Sequence, residues 1–295
     1  MAGLREIKNR IRSIEDTRKI TSAMYMISST KMKKAKQALE ATEPYFYTLQ
    51  STIDRILRHL PDMEHIYFES PEVRQRKIGL LVITDDKGLA GSYNHNILKM
   101  AQDFLDRTEH EVDLFVVGEL GRQYFVSKGI HIHENFQYTV QNPTFNRARW
   151  ISETILDKYQ SGGIGELHVI YTRMESSMQS VAEDKQLLPI RRAPTAEIPA
   201  DVYQEEFLLM PSAEEAVDAI IPNYITGFIY GALVQSYYTA HNARMMAMES
   251  ATNNADDLLR DLKIMYNRAR QAEITQEITE VCGGAKAQQM SRNGK

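Results

Sequence analysis

Apolar and small side chains recur about every 3.5 residues along the first forty residues of the chain, which is the spacing of a coiled-coil seam. The seam positions are Ile7, Ile11, Ile14, Thr21, Ser28, Met32, Ala35 and Leu39. No glycine or proline lies between Leu4 and Glu43, and we expect a break or kink at Pro44. The pattern predicts an N-terminal coiled-coil helix within residues 1–60, followed by a loop framed by Pro61 and Pro71.

A second segment of this kind covers residues 211–287. Its seam runs are Ala243, Ala247, Ser250 and Asn254, then Leu258, Leu262, Met265, Ala269 and Ala272, then Ile274, Ile278, Val281 and Ala285. Ser212 and Glu215 form a capping-box start, and Gly283 and Gly284 indicate a stop or a loosening of the helix. A helix over residues 212–282 would be on the order of 100 Å long, too long to be buried in one globular domain.

Each of these segments therefore needs a partner along its length, and each is the natural partner of the other. Both seams are rich in Ala, Ser and Thr, which allow close approach but bury little apolar area per turn. We predict a long antiparallel coiled coil of N- and C-terminal helices. The alternative is an ordinary bundle of shorter helices joined by turns.

Between the two helices the pattern changes to short apolar runs that alternate with amphipathic segments, over about residues 74–195. Strands are predicted at 77–84, 112–117, 130–133, 166–173 and 186–190, and helices at 94–107, 120–127 and 146–159. This alternation is typical of a largely parallel sheet covered by helices. The predicted fold class is α/β, with a Rossmann-like α/β domain inserted between the coiled-coil helices.

Charge is unevenly placed along the chain, although its formal net charge is only -4. Between Arg5 and Lys36 there are ten basic and three acidic residues. A basic helix on an otherwise acidic protein indicates a negatively charged partner, such as an acidic protein loop, a membrane surface or nucleic acid. The single cysteine, Cys282, excludes an intrachain disulfide and is typical of a reducing compartment. We expect no signal peptide and no membrane span.

Two clusters in the middle domain have residue types that bind metals. Asp85 and Asp86 lie where the first strand meets a glycine-containing loop, and His131 and His133 alternate along a predicted strand. The loop matches neither common phosphate-binding glycine pattern, and two histidines without a third ligand are more typical of an exposed strand. We therefore expect no catalytic residue, no cofactor and no metal, and keep a metal-dependent α/β enzyme with a dimerising coiled coil as the alternative.

Several motifs at the two ends of the chain are specific. They are the segments 14–24 (IEDTRKITSAM), 31–35 (KMKKA), 240–248 (AHNARMMAM), 251–255 (ATNNA) and 266–280 (YNRARQAEITQEITE). Together they closely resemble the gamma-subunit family of the rotary ATP synthases, and the resemblance extends over the whole chain. In the middle domain the match is mainly Thr84 to Asn94, where this chain has Ala90 in place of the family's usual cysteine.

This resemblance implies a central rotor shaft in a proton-translocating ATP synthase, which couples rotation of the c ring to conformational changes at the catalytic beta subunits for ATP synthesis. It implies a non-catalytic subunit whose partners are the alpha, beta and epsilon subunits and the c-subunit ring, without nucleic acid. The expected location is the cytoplasmic face of the cell membrane, as a peripheral protein of the complex.

The resemblance also implies which residues contact the catalytic ring. These are Lys19, Met24, Arg244, Gln271, Thr275 and Glu277. The two basic side chains are long enough to reach acidic loops of a beta subunit, while the two polar side chains near the tip are expected to form weak bearing contacts. The ordinary interpretation is a seam residue for Met24 and a surface charge for Glu277.

Overall fold

The computed structural model describes residues 3–59, 63–68, 76–176, 179–191 and 212–293 of the chain. Nine elements follow one another in this order: α1 (Leu4–His59), β1 (Ile78–Ile83), α2 (Tyr93–Arg107), β2 (Val112–Val117), α3 (Glu119–Ser127), α4 (Phe145–Gln160), β3 (Glu166–Met174), β4 (Ser180–Leu188) and α5 (Ala213–Asn293). The predicted long helices at the two ends and the α/β arrangement between them are confirmed. Of the predicted loop framed by Pro61 and Pro71, residues 63–68 are described and form neither helix nor strand apart from an isolated bridge between Phe68 and Ile190, while the two prolines lie outside the described residues.

The sheet has the strand order β2-β1-β3-β4. β1 is parallel to both β2 and β3, and β4 is antiparallel to β3, so the sheet is largely parallel as predicted. β1 is buried at all six positions, because both faces of the sheet are covered. The two parallel neighbours of β1 place the carboxyl ends of three strands at one edge, where polar side chains collect.

The chain divides into two compact units. The larger, Ser28–Arg244, contains the sheet, helices α2 to α4, most of α1 and the first part of α5. Its main core packs one face of the sheet against α4 and α5 through residues such as Phe115, Ile151 and Ile225. A second core covers the other face with α2 and α3. An 18-residue window of α5 is apolar enough to cross a membrane by composition, but half of it is buried within the chain, as in a core helix.

The smaller unit consists of residues 1–27 and 245–295. Thr21 Oγ1 lies 2.8 Å from Thr252 Oγ1, and Arg18 Nε lies 2.6 Å from Asp256 Oδ1. Between these two contacts the residue number decreases on α1, from 21 to 18, and increases on α5, from 252 to 256. The two helices are therefore antiparallel, as predicted. This register places Leu4, where α1 begins, opposite about residue 270 of α5.

The structure departs from the prediction at five places. α1 continues through Pro44 without a break, and α5 continues past Gly283 and Gly284 to Asn293 without a stop. The strand predicted at 186–190 is β4, which begins earlier, at Ser180, and ends at Leu188. Residues 130–133 form no strand, although His133 N donates a hydrogen bond to Leu114 O at 2.8 Å. The last seam run has no partner helix within the smaller unit, since Ile274, Ile278 and Val281 are 45%, 58% and 72% exposed.

The start of α5 is as predicted. Glu215 N donates to Ser212 Oγ at 3.1 Å, which is the N-terminal half of a capping box. The predicted domain limits of 1–60, 74–195 and 211–287 stay a prediction.

Candidate functional site

Two of the six predicted contact residues lie on α1. Lys19 is exposed, and its Nζ atom lies 3.2 Å from Asp16 Oδ1. Met24 is half-buried. The groove beside Lys19 is lined by charged residues of both helices and one leucine: Glu15, Arg18, Asp256, Leu259, Arg260 and Lys263. An exposed cation in a groove of mixed charge is available to a partner, while the partner itself stays a prediction.

Three further predicted residues lie on the part of α5 that extends past the start of α1. Gln271, Thr275 and Glu277 are all exposed. The Thr275 hydroxyl donates to Gln271 O at 2.8 Å, one turn earlier in the same helix. This segment of α5, residues 271–286, is exposed at every position and is here named the overhang. Its three predicted contact residues share it with the apolar stripe of Ile274, Ile278 and Val281, so polar and apolar groups are presented together.

Arg244 differs from the other five, because its side chain is buried in its own chain. It is 5% exposed, and its guanidinium donates to the Asp85 carboxylate, to Lys87 O at 2.9 Å and to Gly88 O at 3.1 Å. Its charge is neutralised within the chain, by acceptors that lie in the loop after β1. The expected contact of this guanidinium with an acidic loop of another subunit stays a prediction.

The Asp85 carboxylate lies at the carboxyl end of β1 and is 1% exposed. Its Oδ1 atom accepts from Asp86 N at 2.8 Å and from Gln141 Nε2 at 3.2 Å, and its Oδ2 atom accepts from Arg244. A buried carboxylate needs such partners, because desolvation of an unpaired charge costs several kcal/mol. We call this buried contact between Asp85 and Arg244 the clamp.

Asp86 fixes the neighbouring loops to the same strand end. Its Oδ1 atom accepts from Glu119 N at 3.1 Å, at the start of α3. Its Oδ2 atom accepts from the Thr139 hydroxyl and from the backbone N of Val140 and Gln141. Every carboxylate oxygen of this aspartate pair therefore already accepts a hydrogen bond. The alternative prediction of a metal-dependent enzyme finds no support, and the described residues contain no group of three acidic, His or Cys side chains able to hold a metal ion.

His241 lies one turn before Arg244 on α5 and is also buried. Its Nδ1 atom lies 3.3 Å from Arg244 Nη1 and must accept, since a guanidinium only donates. Burial lowers the pKa of His241 to about 3, and the positive charges of Arg244, Lys31 and Lys87 act in the same direction. His241 is therefore neutral at physiological pH and serves as a hydrogen-bond acceptor for the clamp.

The second candidate metal cluster is also accounted for by contacts within the chain. His133 Nδ1 lies 3.0 Å from Asp113 Oδ1, and its ring packs against Phe115 at 4.6 Å between centroids. His131 is exposed. The described residues place no third metal-binding side chain beside these two histidines.

The sequence indicates separate roles for Asp85 and Arg244 and does not reveal their contact. The available signal was the position of Asp85 directly after a fully apolar strand, where a carboxylate is buried and requires a cation. Nothing in the sequence identified which of the chain's basic residues supplies it.

A scan against models of protein families matches residues 3–288 of this chain to the family described as ATP synthase. The chain is 43% identical over 291 residues to the ATP synthase gamma chain of Ruminiclostridium cellulolyticum, covering 96% of this chain and 98% of the relative. It is 40% identical over 295 residues to the ATP synthase gamma chain of Caldanaerobacter subterraneus subsp. tengcongensis, covering 96% and 99%.

The fold is also similar to solved structures. One is the central stalk and c ring of the mitochondrial ATP synthase of Tetrahymena thermophila. The TM-score is 0.57 at 22% identity, covering 79% of this chain and 99% of the matched chain. At this identity the likeness concerns the fold alone, and it extends over almost the entire matched chain.

Proposed function

Because this chain belongs to the gamma-chain family of the ATP synthases, we propose that it is the central rotor shaft of such a complex. In this role it couples rotation of the c ring to conformational changes at the catalytic beta subunits. The observation that carries the proposal is the match over residues 3–288, which includes both long helices and the domain between them. The proton as the coupling ion stays a prediction.

The antiparallel pair of helices has properties suited to a rotating shaft. Contacts across it include the Thr21 and Thr252 hydroxyls and the ion pair of Arg18 with Asp256, and its surface carries many charges. Large apolar side chains such as Ile20, Ile27 and Leu258 are exposed on it as well. A shaft must turn against its partner, and ion pairs at an exposed surface are weak enough to be broken and remade as it turns.

The overhang also presents exposed apolar side chains. Ile274, Ile278 and Val281 form an exposed apolar stripe near the end of α5. Exposed apolar stripes rimmed by polar side chains are typical of protein interaction surfaces. In the proposed role the catalytic ring encloses this stripe, and Gln271 and Thr275 contribute hydrogen bonds beside it.

ATP chemistry belongs to other subunits in this proposal. The aspartates at the end of β1 have hydrogen-bond donors on all their oxygens, so they are poor candidates for binding magnesium and nucleotide phosphates. The proposed partners are the alpha and beta subunits around the helices, and the epsilon subunit and the c ring at the α/β domain. Through these partners the chain is held at the cytoplasmic face of the cell membrane.

The proposal is tested by native mass spectrometry of the complex that a tagged copy of this chain retrieves from its source membranes. We expect one copy of this chain with three alpha and three beta subunits. A lone chain or a homodimer, recovered from membranes that contain intact alpha and beta subunits, would contradict the proposal.

The role of the overhang is tested by Gln271→Ala and Thr275→Ala in the assembled complex. Loss of one hydrogen bond of about 1 kcal/mol is expected to slow ATP synthesis about five-fold without changing the helix content of the chain. The matched control is Gln123→Ala, which removes an equally exposed glutamine from α3. Equal rates in all three variants would show that the overhang residues make no functional contact.

A further inference from the structure

Within the larger unit, α5 is attached to the α/β domain, residues 78–188, by two kinds of contact. Apolar contacts extend along α5 as far as Ala240 and Ala243, which are the last α5 residues in the described core that α2 and α3 share. Polar contacts begin where the Thr226 and Ser152 hydroxyls meet at 2.6 Å. They end at Arg244, which is also the last residue of the unit along α5. The clamp therefore lies where α5 leaves the domain.

The apolar contacts near this exit are made by small side chains. An alanine surface buries little area and has no preferred direction, because the hydrophobic effect depends on area and not on angle. The Tyr93 hydroxyl donates to Ser236 O at 3.1 Å, two turns before Arg244, and the Tyr237 hydroxyl donates to Asn142 Oδ1 at 3.3 Å. Small apolar contacts and these two separate hydrogen bonds resist separation of the helix from the domain. Each bond alone restrains rotation about the helix axis less than a group that is bonded to several acceptors at once.

The clamp is directional. Arg244 Nε and Nη2 both donate to Gly88 O, at 3.2 and 3.1 Å, while Nη2 also donates to Lys87 O and Asp85. A planar guanidinium with several N–H groups bound to acceptors is held in one orientation. Its acceptors are a side chain at the end of β1 and two backbone carbonyls of the following loop. A rotation of α5 about its axis at this point must break several charge-assisted hydrogen bonds together.

The acceptors are themselves anchored to the sheet and to its neighbouring loops. Asp85 N donates to Asn94 Oδ1 at 2.9 Å, and Gln141 Nε2 donates to Asp85 Oδ1. Asp86, the next residue, holds the start of α3 and the loop at Val140. A torque on Arg244 is thereby distributed over β1, α2, α3 and the loop before α4.

From this geometry we propose that the clamp is the point at which rotation passes between the α/β domain and α5. Arg244 and Asp85 are positioning residues that set the angle of α5 against the domain, in addition to stabilising the fold. This inference rests on the proposed function, because only a rotating shaft carries torque along α5. A purely stabilising contact could be replaced by any pair that restores the stability of the fold. The proposed positioning role requires the directional contact between the two charged groups for coupling as well.

The test separates stability from coupling with a double variant. Arg244→Met and Asp85→Asn each leave one buried charged group without its partner, so each alone is expected to weaken the fold. The double variant Asp85→Asn/Arg244→Met removes both charges while keeping side chains of similar size, and is expected to regain much of the stability. Thermal unfolding of each full-length variant measures this recovery.

Coupling is measured in the complex assembled with each variant. With the catalytic ring immobilised and a bead on the α/β domain, the double variant is expected to show angular fluctuations at least two-fold broader than the unchanged chain. ATP synthesis is expected to fall several-fold, while ATP hydrolysis changes less. The conservative variant Arg244→Lys, which keeps the charge, is expected to recover part of the synthesis rate.

The matched control is Arg173→Met, which removes a similar ion pair from an exposed position, where Arg173 Nε lies 2.8 Å from Glu183 Oε2. It should leave fluctuations and synthesis unchanged. The clamp proposal would be overturned if the double variant showed angular fluctuations as narrow as those of the unchanged chain. It would also be overturned if the double variant regained ATP synthesis together with its stability. Either result would leave the proposed function standing. Absence of rotation with the unchanged chain would reject the proposed function and the clamp with it.

Discussion

Replacing Gly118 with alanine tests how tightly the end of β2 is packed against the end of β1. Gly118 has φ 97° and ψ 138°, a conformation that is nearly restricted to glycine. An added Cβ atom would lie 2.5 Å from Thr84 Oγ1 and would overlap Thr84 O. Because Thr84 Oγ1 also bonds Val117 O and Gly121 N, at 3.0 Å each, it has little freedom to move away.

The expected cost has two parts. Backbone strain at positive φ costs about 1–2 kcal/mol, and the overlap with an immobile neighbour adds about 1–3 kcal/mol. Gly129 offers a matched control, since its φ is 70° but an added Cβ would meet nothing within 4 Å. Gly129→Ala should therefore lower the free energy of unfolding by the backbone strain alone, without the contribution from overlap. The free energies of unfolding of the two variants should differ by about 1–3 kcal/mol.

Urea unfolding of the full-length chain measures this difference. Trp150 is the only tryptophan and lies on α4, so its fluorescence reports on the larger unit. With a slope of about 2 kcal/mol per molar urea, Gly118→Ala should unfold at a midpoint about 0.5–1.5 M below that of Gly129→Ala. Equal midpoints would refute the reasoning, because they would mean that the strand end moves freely to accept the methyl group.

Two further predictions concern the larger unit and the overhang. Since the folded-state pKa of His241 is lowered from 6.5 to about 3, the unfolded chain takes up a proton that the folded chain excludes, and stability falls as the pH drops from about 6.5 towards 3. Between pH 7 and pH 5 the loss should be about 2 kcal/mol, and His241→Gln should remove this part of the pH dependence in urea unfolding; an unchanged slope would contradict the buried neutral histidine. Ile151→Ala, at a fully buried position, should cost about 2–5 kcal/mol, whereas Ile274→Ala in the exposed overhang should cost under about 0.5 kcal/mol in the isolated chain.

The elements that the sequence predicted well are those with a strong local signal. β1 is a continuous apolar run bounded by polar residues, which is typical of a strand buried on both faces. The two long helices have an apolar repeat without interruption over many turns, and a pattern of that length has few alternative interpretations. For these elements the local preference and the tertiary structure agree.

The failures at proline and glycine have a different origin. Pro44 removes one helical hydrogen bond at an exposed position of α1. The helix continues because Phe46, two residues after Pro44, packs over Gly227 of α5. Gly283 and Gly284 lower helix propensity by about 1 kcal/mol each, but neither adopts the positive φ of a helix-ending glycine. A proline or glycine therefore marks the end of a helix only where the chain can adopt another conformation.

The clamp was beyond the reach of sequence reasoning because its two residues are 159 positions apart. A buried carboxylate after an apolar strand requires a cation, but periodicity and spacing carry no information on which distant helix supplies it. The predicted role of Arg244 at another subunit followed from its long side chain. The same length also allows the guanidinium to reach back to the end of β1.

The unequal lengths of α1 and α5 link the fold to the proposed function. With Leu4 opposite about residue 270, α1 ends its pairing before the last turns of α5, and the helix continues alone. Extension of an existing helix avoids the cost of nucleation, so the overhang remains helical without a partner in its own chain. An apolar stripe on such a segment gains nothing for the isolated protein, because no side chain covers Ile278 or Val281 in the described residues. In the function proposed above, this stripe is buried against the catalytic ring that encloses the tip of the shaft.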